Sequence, residues 1–334
     1  MKFKLTVLII ILMLITIYLI YTNFNENFSS KLNLNNDKLN ISSNPKINAK
    51  MCIFRILGNN LNSVHSDTQT YTNLKFTLEN EAEFENCDKI WILNRIIDSD
   101  LQEKYKKLLD KYNKKYLIIP FEKDEYNKIK INNNINLNEL NNNKNDNNKI
   151  FRKLYSHSLY LININGARNY CLNYGRQRYL YSFVLDGSCF FTKEQFNDLV
   201  NNINDDTEYL IIPLIRLDKN DNNDNNVIIK DAKKYEPQIG FKNTSKLYFN
   251  EKLPYGLSNK TELLRVLKVS GEWDNWLDNK NVLNISDRSK VDAKTQLISS
   301  VCRLSNGTNK KQKNHNHRSN GLLQLVNDVE KIVN

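Results

Sequence analysis

Glycine and proline are scarce, with nine and five residues in a chain of 334. That excludes collagen-like repeats and Pro/Gly-rich low-complexity architectures. Cysteine is sparse too. No two of Cys52, Cys87, Cys171, Cys189 and Cys302 stand at C-x-x-C spacing, which excludes a zinc knuckle and a thioredoxin-type motif. Their odd number leaves at least one free thiol, and their apolar surroundings suit buried thiols at least as well as disulfides. The chain has no G-x-S-x-G, Walker A or H-E-x-x-H motif, which argues against serine hydrolase, P-loop and zincin chemistry. A mean hydropathy of −0.59 excludes a polytopic membrane protein but not a single span.

Asparagine and lysine are abundant. Asparagine accounts for about one residue in six, an excess that reads as filling of loops. The net charge of +11 comes from 48 basic and 37 acidic residues. The lysines are interleaved with Asp, Glu and Asn, without an RNP-like, zinc-finger or basic-helix pattern, so no nucleic-acid partner is expected.

The one long apolar run is Leu5–Thr22, free of charge, glycine and proline and just long enough to span hydrocarbon. Lys2 and Lys4 precede it and no A-x-A-like site follows it, which favours an uncleaved signal-anchor. The reading is a cytoplasmic tail at 1–4, a transmembrane helix at 5–22 and a flexible stem at 23–50. The remainder is then lumenal, in the Golgi or ER. Sequons at Asn27, Asn40, Asn243, Asn259, Asn284 and Asn306 permit a glycoprotein but add little in so Asn-rich a chain.

From Met51 the pattern alternates. Met51–Leu57, Lys89–Leu93 and Tyr116–Pro120 read as buried strands, and Thr70–Phe84 and Leu101–Tyr112 as the helices between them. The order argues for a mostly parallel central sheet flanked by helices, an α/β domain over 51–300. Residues 127–149 read as a mobile Asn-rich loop that tolerates shortening. Further on come a helix at Gly166–Tyr174, strands at Tyr179–Leu185, Tyr209–Leu217 and Val227–Ile229, and a short helix at Glu194–Asn202. Residues 301–334 read as a basic tail with a candidate terminal helix at Leu322–Val333.

The informative stretch is Asn165-Gly166-Ala167-Arg168-Asn169, a helix, then Val184-Leu185-Asp186-Gly187-Ser188. An aspartate at the carboxyl end of a buried parallel strand stands where α/β sheets bind ligands. Downstream lie Phe249-Asn250-Glu251, Tyr255-Gly256 and Lys260-Thr261-Glu262-Leu263-Leu264. In content and order these segments resemble the GT-A-fold, family-2-like glycosyltransferases. Their motif runs through A-R-N, a helix and an apolar strand to L-D-x-D, and on to F-D-E and G-E-D-x-E-L. The resemblance covers Met51 to about Trp276, and only its central motif is specific.

The resemblance implies transfer of a sugar from a nucleotide-sugar donor to a glycan or glycoprotein acceptor. It places Arg55, Gly58 and Asn59 beside the nucleotide, Asn94 and Arg95 at base and ribose, and Arg168 and Asn169 in the donor-side motif. Asp186 would face the ribose or a Mn²⁺ or Mg²⁺ ion. Ser188 stands where a second metal-binding Asp is expected, and a hydroxyl is a poor ligand for such an ion. Asn259-Lys260 replaces the acidic pair that supplies the general base. Glu262 and Asp274 are the nearest candidates to take a proton. Both departures keep open an alternative, a degenerate domain that binds a glycan or a partner without catalysis. His65 and His315-Asn316-His317 are weaker candidates for the donor pocket, and Trp273 and Trp276 for a sugar platform.

Overall fold

A computed structural model describes residues 50–61, 68–133, 135–142, 147–217, 235–256, 260–276, 288–305 and 315–333. The tail, the apolar run at 5–22, nearly all of the stem, His65 and the expected strand Val227–Ile229 lie outside these residues, as do the side chains of His315 and His317. Among the described residues no helix is long and apolar enough to cross a membrane.

The first half is strand–helix–strand, as the periodicity predicts. β1 (Met51–Leu57), α1 (Gln69–Asn80), β2 (Cys87–Asn94), α2 (Ser99–Lys111) and β3 (Lys115–Ile119) follow in turn. Asp98 starts α2 by accepting from the backbone N–H groups of Asp100 and Leu101 at 3.0 and 3.1 Å. Helix α3 (Lys123–Asn133), α4 (Leu137–Asn142), α5 (Asn147–Lys153), α6 (Tyr155–Leu161) and α7 (Ile164–Arg176) then lead into β4 (Tyr181–Leu185). β5 (Cys189–Phe190), α8 (Lys193–Asn202), β6 (Tyr209–Ile212), β7 (Leu214–Arg216) and β8 (Gln238–Lys242) complete the middle of the chain. The expected strand Tyr209–Leu217 is broken at Pro213, which lacks the N–H a continuous ladder needs. Last come α9 (Thr261–Val266), a 3₁₀ turn at Glu272–Asn275, β9 (Thr295–Leu297), β10 (Val301–Arg303) and α10 (His315–Val333).

Seven strands form one sheet in the order β3-β2-β1-β4-β8-β6-β9. The first four run parallel, and β8 lies antiparallel to both β4 and β6. A smaller sheet, β5-β10-β7, stands beside it. Alternate residues of β1 serve opposite faces. Cys52 and Phe54 pack with Cys171 and Leu172 of α7, whereas Met51 and Ile53 pack with Phe191, Phe196 and Leu199 around α8. Both faces are therefore covered, as parallel strands require. Gly175 allows α7 to close on β4, since a Cβ there would stand 2.0 Å from Ser182 Oγ. All five cysteines are buried free thiols.

The Asn-rich segment departs from the expected loop. Tyr126, Leu140, Ile150 and Leu154 of the α3–α6 region bury against Leu322, Leu323, Val326 and Val329 of α10. The terminal helix starts at His315 and is a packed element, so 301–334 is more than a tail with a short helix.

Chain direction fixes where a ligand can enter. The chain runs outward from β1 through β2 to β3 and then returns to place β4 on the other side of β1. The strand order thus reverses between β1 and β4, and the crevice at their carboxyl ends is the place such sheets offer a ligand.

Candidate functional site

A cleft of about 350 Å³ opens at that reversal point. Its floor is the ends of β1 and β4, with Ile56, Gly58, Leu185 and Asp186. Gln69, Thr70 and Asn73 of α1 form one wall, and Tyr255, Gly256 and Trp276 contribute to the other.

Asp186 is the electrostatic centre. Its carboxylate accepts from Arg168 Nη2 at 3.1 Å and Lys260 Nζ at 3.0 Å, and Arg303 Nη1 lies 3.7 Å away. Gln238, fully buried on β8, accepts from the Asp186 backbone N–H at 3.3 Å and approaches Oδ2 at 3.4 Å. Burial opposes ionisation of Asp186, but Lys260, Arg303 and Arg168 outweigh it and hold the carboxyl well below the usual carboxylate range. Arg168 is aimed by Asn165, whose Oδ1 accepts from Nη1 at 3.0 Å, and its guanidinium lies 5.0 Å from the Phe249 ring. Lys260 is 2 % exposed and bridges Asp186 to Glu236, 2.9 Å from Glu236 Oε1.

Five expected site residues line this cleft: Asn59, Asn94, Arg168, Asp186 and Ser188. Two of them hold backbone as well. Asn59 donates to the carbonyls of Arg95 and Leu161 and accepts from Ile97 N–H, while Asn94 donates to the carbonyl of Ile162. They tie the end of β2 to the segment entering α7.

Five others are elsewhere. Arg55 points from β1 into the interior, where Glu81 takes its Nη2 at 2.5 Å and the Cys189 carbonyl takes its Nε at 3.0 Å. Arg95 turns into an adjoining cavity, donating to the Tyr160 carbonyl at 2.8 Å and lying 4.0 Å from that ring's centroid. Asn169 clamps Phe249 through both of that residue's backbone groups and donates to Glu251. Glu262 is buried and held by the guanidinium of Arg288 at two oxygens, and Asp274 is exposed and accepts from Gly271 N–H. Trp273 belongs to the core; Trp276, 40 % exposed, lines the cleft.

Glu236, Lys260, Arg303 and Arg318 are cleft residues that sequence reasoning did not place. Lys260 carried a usable signal: a cation replaces the acidic pair in the same chain in which serine replaces the second metal-binding aspartate. The other three come from segments without a motif.

A divalent ion does not fit these donors. The single carboxylate at the strand end already faces three cations, and Ser188 offers only a hydroxyl. Among the described residues no group of three His, Cys, Asp or Glu side chains could hold a metal.

No family model matches the chain, and no curated protein matches it in sequence. Solved structures resemble it at TM-scores below 0.5. S. aureus TarS is 11% identical with a TM-score of 0.38, over 77% of this chain and 37% of that one. The mannosyltransferase PcManGT from Pyrobaculum calidifontis, solved with GDP-Man and Mn²⁺, is 6% identical with a TM-score of 0.41, over 81% and 61%. A nucleotide-diphospho-sugar transferase described as putative, from Desulfovibrio desulfuricans G20, is 12% identical with a TM-score of 0.34, over 85% and 97%. The chain thus spans little more than a third of TarS and about three fifths of PcManGT. The fold is GT-A-like on its own topology, with parallel β3-β2-β1-β4 continued by antiparallel β8.

Proposed function

We propose that the protein is a glycosyltransferase whose cleft takes a nucleotide-diphospho-sugar and passes the sugar to a hydroxyl of a glycan or protein. The observation that carries the reading is the convergence of Arg168, Lys260 and Arg303 on Asp186 at the carboxyl end of β4. Cations fixed in a partly enclosed cleft suit a leaving group that gains negative charge. Gly58, Asn59 and Asn94 line the end reached by β1 and β2, where base and ribose would lie. Trp276 offers an exposed ring for the sugar face.

In this reading the acceptor O–H bond breaks and its proton passes to a carboxylate. The acceptor oxygen bonds the anomeric carbon, and the bond from that carbon to the phosphate oxygen breaks, its electron pair leaving with the nucleoside diphosphate. Glu236 is the better placed base, because Asp186 faces three cations whereas one ion pair is formed by Glu236 among the described residues. Glu262 and Asp274, outside the cleft, do not serve this role.

The anchor belongs to the same proposal: residues 5–22 hold the chain in the membrane of the Golgi or ER with the C-terminal domain lumenal. Lys2 and Lys4 support that orientation, and the exposed Asn243 sequon is available to a lumenal glycan. A C-terminal tag should resist protease in sealed microsomes, and digestion without detergent would contradict it.

The binding-only alternative draws on the two departures from the family pattern, Ser188 in place of a second metal-binding aspartate and Lys260 in place of an acid, both of which line the cleft. Nucleoside diphosphate release from a panel of donor sugars separates the two. Turnover is expected with at least one donor, and Glu236→Gln should lower it by about 10²-fold or more while leaving donor affinity within about threefold. Saturable donor binding without turnover of any donor would favour the binding module.

A further inference from the structure

This inference rests on the donor reading above and concerns the charge that receives the diphosphate. We propose that the cleft is a metal-free diphosphate site, in which Lys260, Arg303 and Arg318 do the work of a divalent cation.

Lys260 is the first ground. Its ammonium lies 3.0 Å from Asp186 and 2.9 Å from Glu236, between the two cleft carboxylates. That is the position an ion bridging those carboxylates would need. A buried ammonium there repels a second cation and already occupies one oxygen of each carboxylate.

Arg303 is the second. It reaches the cleft from β10 of the smaller sheet, with Nη1 3.7 Å from Asp186, too long for a hydrogen bond. Its buried Nε has no hydrogen-bond partner among the described residues. A guanidinium held by charge but incompletely bonded retains donors for phosphate oxygens.

Arg318 is the third. It comes from α10 and donates through Nη1 to the Gly256 carbonyl at 2.9 Å. Gly256 has a φ of +88°, and a Cβ there would stand 2.8 Å from Arg318 Cδ. A side chain at this position would strain the backbone turn and crowd the arginine.

Charge balance agrees. Among the described residues Arg168, Lys260, Arg303 and Arg318 line the cleft with Asp186 and Glu236, four cations to two carboxylates and so a surplus of two positive charges. A sugar-diphosphate linkage is doubly anionic and neutralises that surplus. Asp186 then acts as a positioning residue that gathers cations, and Ser188 contributes at most a hydroxyl donor.

The test is calorimetric titration of UDP and of GDP into the full-length chain, with excess EDTA in one arm and Mn²⁺ in the other. Binding of at least one nucleotide in EDTA, with Kd within about threefold of the Mn²⁺ arm, is the expected result. Binding that requires Mn²⁺ would overturn the metal-free site and leave the donor reading standing. Absence of binding in both arms would overturn the donor reading and this inference with it. Arg303→Gln and Arg318→Gln, each verified as folded by its melting curve, should weaken binding in EDTA by about tenfold or more. Unchanged affinity in both variants would also overturn the proposal. Lys260→Met should bind nucleotide weakly in EDTA and recover affinity with Mn²⁺, because it uncovers Asp186 and Glu236. A folded Lys260→Met protein that binds as tightly as wild type in EDTA would contradict the role given to this lysine.

Discussion

Arg55, Glu81 and Lys89 form a buried ionic cluster beneath the cleft. Arg55 and Glu81 are each 1 % exposed at the side chain and Lys89 3 %, and Glu81 also accepts from Phe191 N–H at 2.9 Å. Glu81→Gln keeps the shape but strips two buried cations of their counter-charge. It should cost about 3–5 kcal/mol in denaturant unfolding, with nucleotide affinity of the folded protein unchanged. A cost below about 1 kcal/mol would show that water reaches the cluster. His157 provides a pH dependence. Burial pushes its pKa down, with Glu330 opposing in part, so the unfolded chain binds the proton more readily than the folded one. Stability from this group is therefore present above the unfolded value, near pH 6.5, and is lost as pH falls below it. His157→Phe should flatten the fall in stability between about pH 7 and about pH 5.5, and an unchanged slope would remove His157 as its source. Legibility at this scale followed backbone position. Asp186 and Ser188 were readable because a strand end dictates their exposure to the cleft. Arg55 was not, because in a strand buried on both faces an arginine is told from a ligand contact only by its partner, and Glu81 belongs to another element.

The helices of the Asn-rich segment change what its removal should do. Leu140 is 2 % exposed and Ile150 fully buried, and both pack with α10. Polar contacts span the same seam, with Tyr126 donating to Glu330 at 2.9 Å and the amides of Asn141 and Asn327 exchanging hydrogen bonds at 3.3 and 3.0 Å. Deleting 127–149 should lower the melting temperature by more than roughly 5 °C, and Leu140→Ala alone should cost about 2–5 kcal/mol. A deletion that melts like wild type would restore the loop reading. The parallel strands and their crossover helices were legible because their apolar periods are local. The Asn-rich helices were not, because their few apolar residues have meaning only against α10, far away in the chain. The antiparallel β8 was missed for a related reason: Gln238–Lys242 has little apolar content of its own, and its place between β4 and β6 is set by pairing.

At the scale of the molecule, the cleft is assembled from distant segments. Gly58 and Asn94 come from the ends of the first strands, Asp186 from the end of the fourth, Lys260 from the start of α9, Arg303 from the smaller sheet and Arg318 from the last helix. Helix α10 therefore links the stability of the Asn-rich layer to the charge of the cleft, and Leu140→Ala should weaken nucleotide binding only as far as it unfolds the protein. The half of the site carried by the A-R-N and strand-end motifs could be read in advance. The half supplied by Glu236, Arg303 and Arg318 could not, since no spacing relates residues that meet only through tertiary packing. The central claim is that this cleft recognises a nucleoside through its diphosphate. The most direct measurement is to compare, by calorimetry on the full-length chain, the nucleoside, its monophosphate and its diphosphate for the preferred base. Affinity should rise with each phosphate, the diphosphate binding at least about tenfold tighter than the monophosphate and losing that advantage as salt is raised. Equal affinity for all three, or binding by none, would contradict it.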